Sequence, residues 1–525
     1  MRTTYNQKLL AFIEKYPTSY HVIKGQKELL DDAGYQQLSE NDAWEIRPGG
    51  KYYVIRNGSA IAAFRIPPED CAADDIGSIR EIAEKKLAGF MIMASHSDSP
   101  SLKIKRNPEM QADKAYTKLN VEPYGGLLMA PWFDRPLSVA GRIFVRTGTD
   151  LKDLKAEAAD GADSGTPAVP SKVNAGTCLE CRLVNLDRDL LVIPSLAIHM
   201  NREANKGYAY NAQKDLLPLY GMAESRPLAE LLAEAVGVDA GDILDGDLYL
   251  YNRQPGTVFG ANKEFLMSPR LDDVQCAFAS LQGFLESEHD SMDVEKGTQQ
   301  DNLTETEQKA SAWQDNLAET EQKAFARQNN PAETEQPIPV HVVFDNEEVG
   351  SSTRQGAAST FLADTLERIS EALGDTRTDY KRRIAGSFML SADNAHAVHP
   401  NHTDKADPVN HPHLNGGVVL KYSANQRYTT DGMSGAIVRL LAERAGVTLQ
   451  EFHNRSDIPG GSTLGNISGN QAAVCTADIG IAQLAMHSPC ETCGAADTEQ
   501  LVRLARELFS AGLDIQEQGN TYRIS

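Results

Sequence analysis

The apolar positions of this chain follow two textures. The first 40 residues read as two helices. Tyr52–Ile55 and Ala60–Phe64 then flank Asn57-Gly58, a dipeptide suited to the left-handed positions of a tight hairpin. Gly89–Ala94 is a continuous apolar run of strand length, which predicts a strand buried on both faces. Ile338–Phe344, Gly386–Ser391 and Ala472–Ala485 read the same way, and helical patterns lie over Val274–Glu288, Ser359–Leu373 and Met433–Ala445. Alternating strands and helices predict an α/β fold with a mostly parallel sheet flanked by helices. Between about residues 101 and 255 the texture changes. Short β-type segments such as Val139–Arg146 and Arg182–Pro194 dominate, Gly and Pro are frequent, and helical periodicity is weak until Pro227–Val238. The spacing therefore divides the chain into α/β segments at 1–100 and 256–525 and an inserted β-rich domain at 101–255, with Asp150–Gly176 as an exposed loop.

One stretch fits neither texture. Asp301–Gln314 (DNLTETEQKASAWQ) and Asp315–Gln328 (DNLAETEQKAFARQ) are near copies with a period of 14 residues, and a partial third begins at Asn329. With few apolar residues to bury, the region near 289–336 reads as a duplicated polar surface insert without catalytic residues.

Composition narrows the function. At 41% hydrophobic and 24% charged residues over 525 positions, the chain is globular in character. A net charge of −22 argues against nucleic acid, whose phosphates need clustered Lys and Arg. Glu14 and Lys15 interrupt the amino-terminal apolar pattern, which argues against a signal peptide, and no apolar run is long enough to cross a membrane. The seven cysteines are too sparse for a disulfide framework. These features together predict a cytoplasmic protein. The pairs Cys178/Cys181 and Cys490/Cys493 could in principle form a four-thiolate zinc site, but lie so far apart in sequence that they read as incidental.

The chemistry gathers where the apolar strands end. His96 and Asp98 follow Phe90–Ala94, and Asp345-Asn346-Glu347-Glu348 follows Val340–Phe344. Asp393 follows Phe388–Ser391, and His487 follows Ile479–Ala485. Ligands of open α/β sheets bind at that edge. Two His with several Asp and Glu suit divalent zinc, manganese or cobalt, and the carboxylates exceed what one tetrahedral ion needs. A pair of ions bridged by a carboxylate would use them, and Asp272, just before a predicted helix, is the candidate bridge. Asp98 can take the second ring N–H of His96 and fix its tautomer. Glu347 and Glu348 are adjacent, so one can ligate while the other serves as general base. Taken singly, each motif has a plainer reading: an exposed acidic pair, a turn aspartate, a core histidine.

Taken together, ASHSDSPSLKIK (94–105), SPRLDD (268–273), DNEEVGS (345–351), SADNAHAVHPN (391–401), GGVVLKYSANQRY (416–428) and AMHS (485–488) resemble the aspartyl aminopeptidases, dinuclear zinc exopeptidases of the cytoplasm. The resemblance implies that His96 and Asp393 hold one ion and Glu348 and His487 the other, with Asp272 bridging. It implies Glu347 as base and Asp98 as the residue orienting His96. It implies that the inserted domain dimerises, that dimers build to a dodecamer, and that His199 reaches into a neighbour's site. His396, Lys421 and Tyr428 match positions lining the substrate pocket, and a buried lysine would favour amino-terminal Asp or Glu. Without the resemblance, Lys421 reads as a surface residue and His199, His396 and Tyr428 as packing residues. His399, His402, His411 and His413 read as loop residues. The repeats depart from the family pattern and put access to the site, or contact between subunits, in question.

The expected reaction is removal of the first residue of a peptide. A broad-specificity dinuclear aminopeptidase, a related metal-dependent amidohydrolase and a non-catalytic assembly protein are the alternatives. An acetylated amino end would stop an aminopeptidase but not the amidohydrolase, and loss of Glu347 or Glu348 would have favoured the assembly protein.

Overall fold

The computed structural model describes residues 4–68, 88–148, 177–296, 336–516 and 521–524. The repeats, the loop expected at 150–176 and Cys71 lie outside the described residues.

A 13-stranded mixed sheet forms the frame. Through its centre run four parallel neighbours: Ile338–Phe344, Phe90–His96, Phe388–Ala392 and Cys475–Leu484. The first three are buried at every position, as their unbroken apolar runs require. The hairpin at Asn57-Gly58 joins Lys51–Arg56 to Ala60–Arg65, antiparallel, and the latter lies against Ile338–Phe344.

Side chains alternate across this sheet, so each strand feeds two cores. Met91, Met93, Val343 and Leu390 pack with Val274, Phe278, Val438, Leu501 and Leu504 of the helices on one face. Phe90, Ile92, Val340 and Phe344 pack with Phe361, Leu366, Ile369 and Ile384 on the other. The result is a sheet between two helical layers. Helices Phe361–Ala372 and Gly432–Ala445 match the predicted spans closely. The predicted helix at Val274 belongs to Leu271–Lys296, whose first turn is broken by the non-helical backbone of Asp272 and Asp273.

A second sheet has six strands, all antiparallel to their neighbours, in the order Thr177–Asn185, Leu137–Gly148, Ile243–Asn252, Ser101–Ala112, Tyr116–Tyr124, Leu219–Met222. Its inward residues Leu102, Ile104, Val121, Val139 and Leu250 pack under Leu228 and Leu232 of the helix Leu228–Val236. The β-segment expected over Arg182–Pro194 is a regular strand only to Asn185 and then rejoins the sheet at single antiparallel bridges, Leu191 to Leu137 and Val192 to Leu219. Asp187 takes a left-handed φ of 44°, and its N–H is held by Asn185 Oδ1 at 3.1 Å, which turns the chain out of the sheet. Arg142 joins the two sheets by donating to Asn57 O at 2.7 Å.

Among the described residues, no helix is long and apolar enough to cross a membrane. Cys178 and Cys181 are exposed on an outer strand of the second sheet, whereas Cys493 is buried on a strand of the first. Among the described residues no group of four thiols forms.

Candidate metal centre

Strand register brings the functional side chains together. Phe344 pairs with His96, and Ser391 with Ala94, so three strands end side by side. Their ends, and the turns that continue them, converge on one cluster. His96, Asp272, Asp273 and Asp393 offer donor atoms within 4.8 Å of one another, and so do Asp272, Glu348 and His487. Asp272 is common to both groups. Glu347 stands with His96 and Glu348 in a third such group. His96 Nε2 lies 3.6 Å from Asp272 Oδ1, His487 Nε2 lies 3.5 Å from Asp272 Oδ2, and His487 Nε2 lies 3.3 Å from Glu348 Oε2.

The hydrogen bonds around the imidazoles decide which nitrogen is free. His96 Nδ1 faces two acceptors, the Asp98 carbonyl at 3.1 Å and the Asp98 carboxylate at 3.3 Å. His487 Nδ1 faces the carbonyl of Gly126 at 3.1 Å. With acceptors on that side, Nδ1 keeps its proton, and each Nε2 faces the carboxylates, where it can give its lone pair to a cation in place of a second proton. Asp98 has a further task. Its two oxygens accept the backbone N–H groups of Glu347 (3.1 Å) and Glu348 (3.2 Å), and Tyr124 donates its hydroxyl at 2.7 Å. Asn346, at a left-handed φ of 63°, turns the chain so that these amides point back at Asp98.

The donor set calls for cations. Burial raises Glu347 to about 8, with Asp393, Asp98 and Asp272 adding to the effect against His96. Burial, reinforced by Asp272, drives Glu348 well above the usual carboxylate range, and burial near Asp393 and Asp272 does the same to Asp273. Burial would depress His487, yet Asp272 raises it to about 9. So many buried acids cannot all ionise without nearby positive charge. Among the described residues, Asp272 Oδ1, Asp273 Oδ1 and Glu348 Oε1 are buried and have no hydrogen-bond partner. Carboxylate oxygens without hydrogen-bond partners beside two imidazole Nε2 atoms fit divalent cations of the zinc type.

The matched pocket residues are distributed unevenly. Lys421 is 2% exposed; it donates to Asn394 O at 2.8 Å, lies 3.8 Å from Asp393 Oδ1 and sits 5.5 Å from the centre of the Tyr428 ring. Tyr428 is buried against Phe452. His396 is exposed, with its ring edge-on to Phe452 at 6.3 Å. His199 belongs to none of the donor groups and stands on an exposed turn in the second sheet's connections.

Residues 12–161, 167–308 and 310–509 match the family model described as aminopeptidase I zinc metalloprotease (M18). The chain belongs to the M18 family of aminopeptidases. A probable M18 family aminopeptidase 2 of Clostridium acetobutylicum is 37% identical over 509 residues, 96% of this chain and 98% of that one. A protein of the same description from Pseudomonas aeruginosa is 35% identical over 520 residues, 97% of this chain and 99% of that one. Among solved structures, that of the Ape4 and Nbr1 complex matches with a TM-score of 0.76 at 31% identity, covering 96% of this chain and 85% of that one. The S. cerevisiae mApe1 dodecamer matches with a TM-score of 0.70 at 27% identity, covering 96% of each chain. The chain is therefore a metallopeptidase of a zinc family, acting on peptides as an aminopeptidase.

Four further residues of this M18 aminopeptidase surround the centre without having stood out in the sequence. Asp273 accepts the backbone N–H of His96 at 3.1 Å and joins the first donor group. Glu491 is buried and accepts backbone N–H groups of Asp272 and His487. Tyr124 and Gly126 arrive from the second sheet. Asp273 adjoins Asp272 and Glu491 lies four residues past His487, so proximity in sequence was a usable signal for those two. Tyr124 and Gly126 had none.

Proposed function

We propose that this M18 aminopeptidase works through a dinuclear centre and prefers peptides beginning with Asp or Glu. The reading rests chiefly on Asp272, whose two oxygens face different imidazoles, His96 at 3.6 Å and His487 at 3.5 Å. In this reading His96 and Asp393 hold one divalent ion, Glu348 and His487 the other, and Asp272 both; zinc is the favoured metal, with cobalt or manganese compatible. Bound there, the ions would polarise the scissile carbonyl and make water a stronger acid.

Glu347 is the general base. Its backbone is fixed by Asp98, and its carboxylate stands beside Glu348 and His96. It takes a proton from the attacking water as the water oxygen bonds to the carbonyl carbon. It then delivers that proton to the amine as the C–N bond breaks, so no covalent enzyme intermediate is required. Asp98 acts by orienting His96 and the Glu347-Glu348 backbone.

Lys421 supports the acidic preference as a buried cation beside Asp393, with Tyr428 and His396 lining the same region. A second reading has its own support: at 3.8 Å from Asp393, Lys421 serves that carboxylate rather than substrate. His199, by family resemblance, would complete the site of a neighbouring subunit. The exposed apolar residues Leu196, Ile198 and Met200 around it suit a contact between copies, so we take the protein to be a homo-oligomer built from dimers, up to a dodecamer. The stretch 101–255 would be the dimerising domain, set between the catalytic segments 1–100 and 256–525.

A panel of peptides differing only in the first residue (Asp, Glu, Leu, Lys, Ala) tests the preference, with wild type and Lys421→Met loaded with zinc. If Lys421 meets substrate, Asp and Glu are released fastest by wild type, and the variant loses that advantage while keeping its rate on Leu. An equal loss on every peptide, with weaker metal binding, assigns Lys421 to Asp393. Fast release of Leu or Ala by wild type contradicts the acidic preference.

A further inference from the structure

Glu491 takes no part in the proposed proton transfers, yet it is 1% exposed and both of its oxygens are engaged. Oε2 accepts the backbone N–H of Asp272 at 2.9 Å, and Oε1 accepts that of His487 at 2.7 Å. Asp272 Oδ2 and His487 Nε2 lie 3.5 Å apart. One carboxylate therefore ties together the main chain beneath two of the three donors in the Asp272–Glu348–His487 group. The sheet explains its position. Glu491 pairs with Ser268, on the strand leading to Asp272, while its neighbour Thr492 pairs with Leu484, on the strand leading to His487.

Both backbones need an outside acceptor. Asp272 lies at the head of a helix with φ −83° and ψ 108°, where an N–H finds no partner within the helix. Ala485 and His487 both have left-handed φ, at 57° and 68°. Such backbone is held only where its surroundings determine it. On the other side of the centre, Asp98 does the same for Glu347 and Glu348.

We propose that Glu491 is a positioning residue that sets the distance between Asp272 and His487, and so the affinity of the Asp272–Glu348–His487 group for a divalent cation. This rests on the dinuclear reading. Both oxygens must accept, which an ionised carboxylate does and an amide does not. In Glu491→Gln a single oxygen remains as acceptor and an NH₂ is turned toward one of the two N–H groups. Glu491→Asp keeps both acceptors on a stem one carbon shorter.

The test is calorimetric titration of metal-stripped wild type, Glu491→Gln and Glu491→Asp with zinc, with thermal melting of each metal-free protein alongside. Wild type is expected to take two equivalents. Glu491→Gln should bind one about 10–100-fold more weakly, the usual range for loss of a residue that orients a ligand, and the other, which shares only Asp272, with a clearly smaller loss. Glu491→Asp should fall between, with metal-free melting close to wild type for both. A Glu491→Gln titration that matches wild type, or one that weakens both equivalents alike, overturns the proposal. If Glu491→Gln does not fold, Glu491→Asp decides by the same criterion. A wild type that takes one equivalent overturns the dinuclear reading, and the affinity ratio at that equivalent still decides the role of Glu491.

Discussion

The two halves of the donor cluster stand on different kinds of backbone. His96 and Asp393 sit at or just past the ends of parallel strands whose side chains are buried throughout, and His96 itself is 1% exposed. Glu348 and His487 follow strands too, but through left-handed turns at Asn346, Ala485 and His487, and the His487 side chain is 30% exposed. Sheet hydrogen bonding fixes most of the first half, the Asp393 N–H donating to Ile479 O, with the Asp273 carboxylate taking the His96 N–H. The second is fixed by two carboxylates, Asp98 and Glu491, and by the carbonyl of Gly126. A strand end places a ligand through the sheet's own packing and hydrogen bonds, with one added acceptor at His96 (Asp273, 3.1 Å), whereas an irregular turn places one only if several buried acceptors collect its free N–H groups.

The substitution with the largest expected effect tests whether chemistry can be separated from both halves. Glu347→Gln should lower kcat by about 10²–10⁴-fold, the range for loss of a general base, with zinc uptake and melting temperature unchanged. Activity close to wild type would remove Glu347 from that role. The halves themselves are compared by His96→Ala and His487→Ala. Each should lose tight binding of one zinc equivalent. Only His96→Ala should also lower the melting temperature of the metal-free protein, because it empties a fully buried strand end. Equal melting of the two variants would contradict the distinction.

Smaller changes probe the irregular half. Tyr124→Phe removes the hydroxyl that donates to Asp98 and accepts from Asn346 Nδ2 at 2.8 Å, and should weaken zinc binding by about tenfold. The smallest contrast is between neighbouring glycines. Gly125 has a φ of 72°, and a Cβ there would lie 3.0 Å from the Glu348 Cβ, so Gly125→Ala should cost about 1 kcal/mol or more. A Cβ on Gly126 would meet His487 at an ordinary 3.6 Å, so Gly126→Ala should melt as wild type does. Thermal melting of both variants checks the pair.

The same contrast explains what could be read from the sequence. Phe90–Ala94 and Ile338–Phe344 were legible because a strand buried on both faces must be apolar at every position, and the polar residues just beyond then mark the sheet edge. The roles of Glu491, Tyr124 and Gly126 were not legible, because they arise from pairings between distant segments. Glu491 reaches Asp272 only because its strand pairs with Phe265–Ser268, and Tyr124 reaches Asp98 only where the second sheet meets the first. The early end of the strand at Asn185 was hidden for a local reason: the turn at Asp187 depends on a side-chain acceptor, Asn185 Oδ1, that apolar periodicity does not register.

Whether two ions act together is decided by the rate of release of the first residue from an unblocked acidic peptide, measured as zinc is added stepwise to metal-stripped protein. No release is expected without metal, the rate should keep rising until two equivalents per subunit are bound, and acetylation of the amino end should abolish cleavage. A rate that is complete at one equivalent would contradict the dinuclear mechanism, and release from the acetylated peptide would contradict recognition of the free amine.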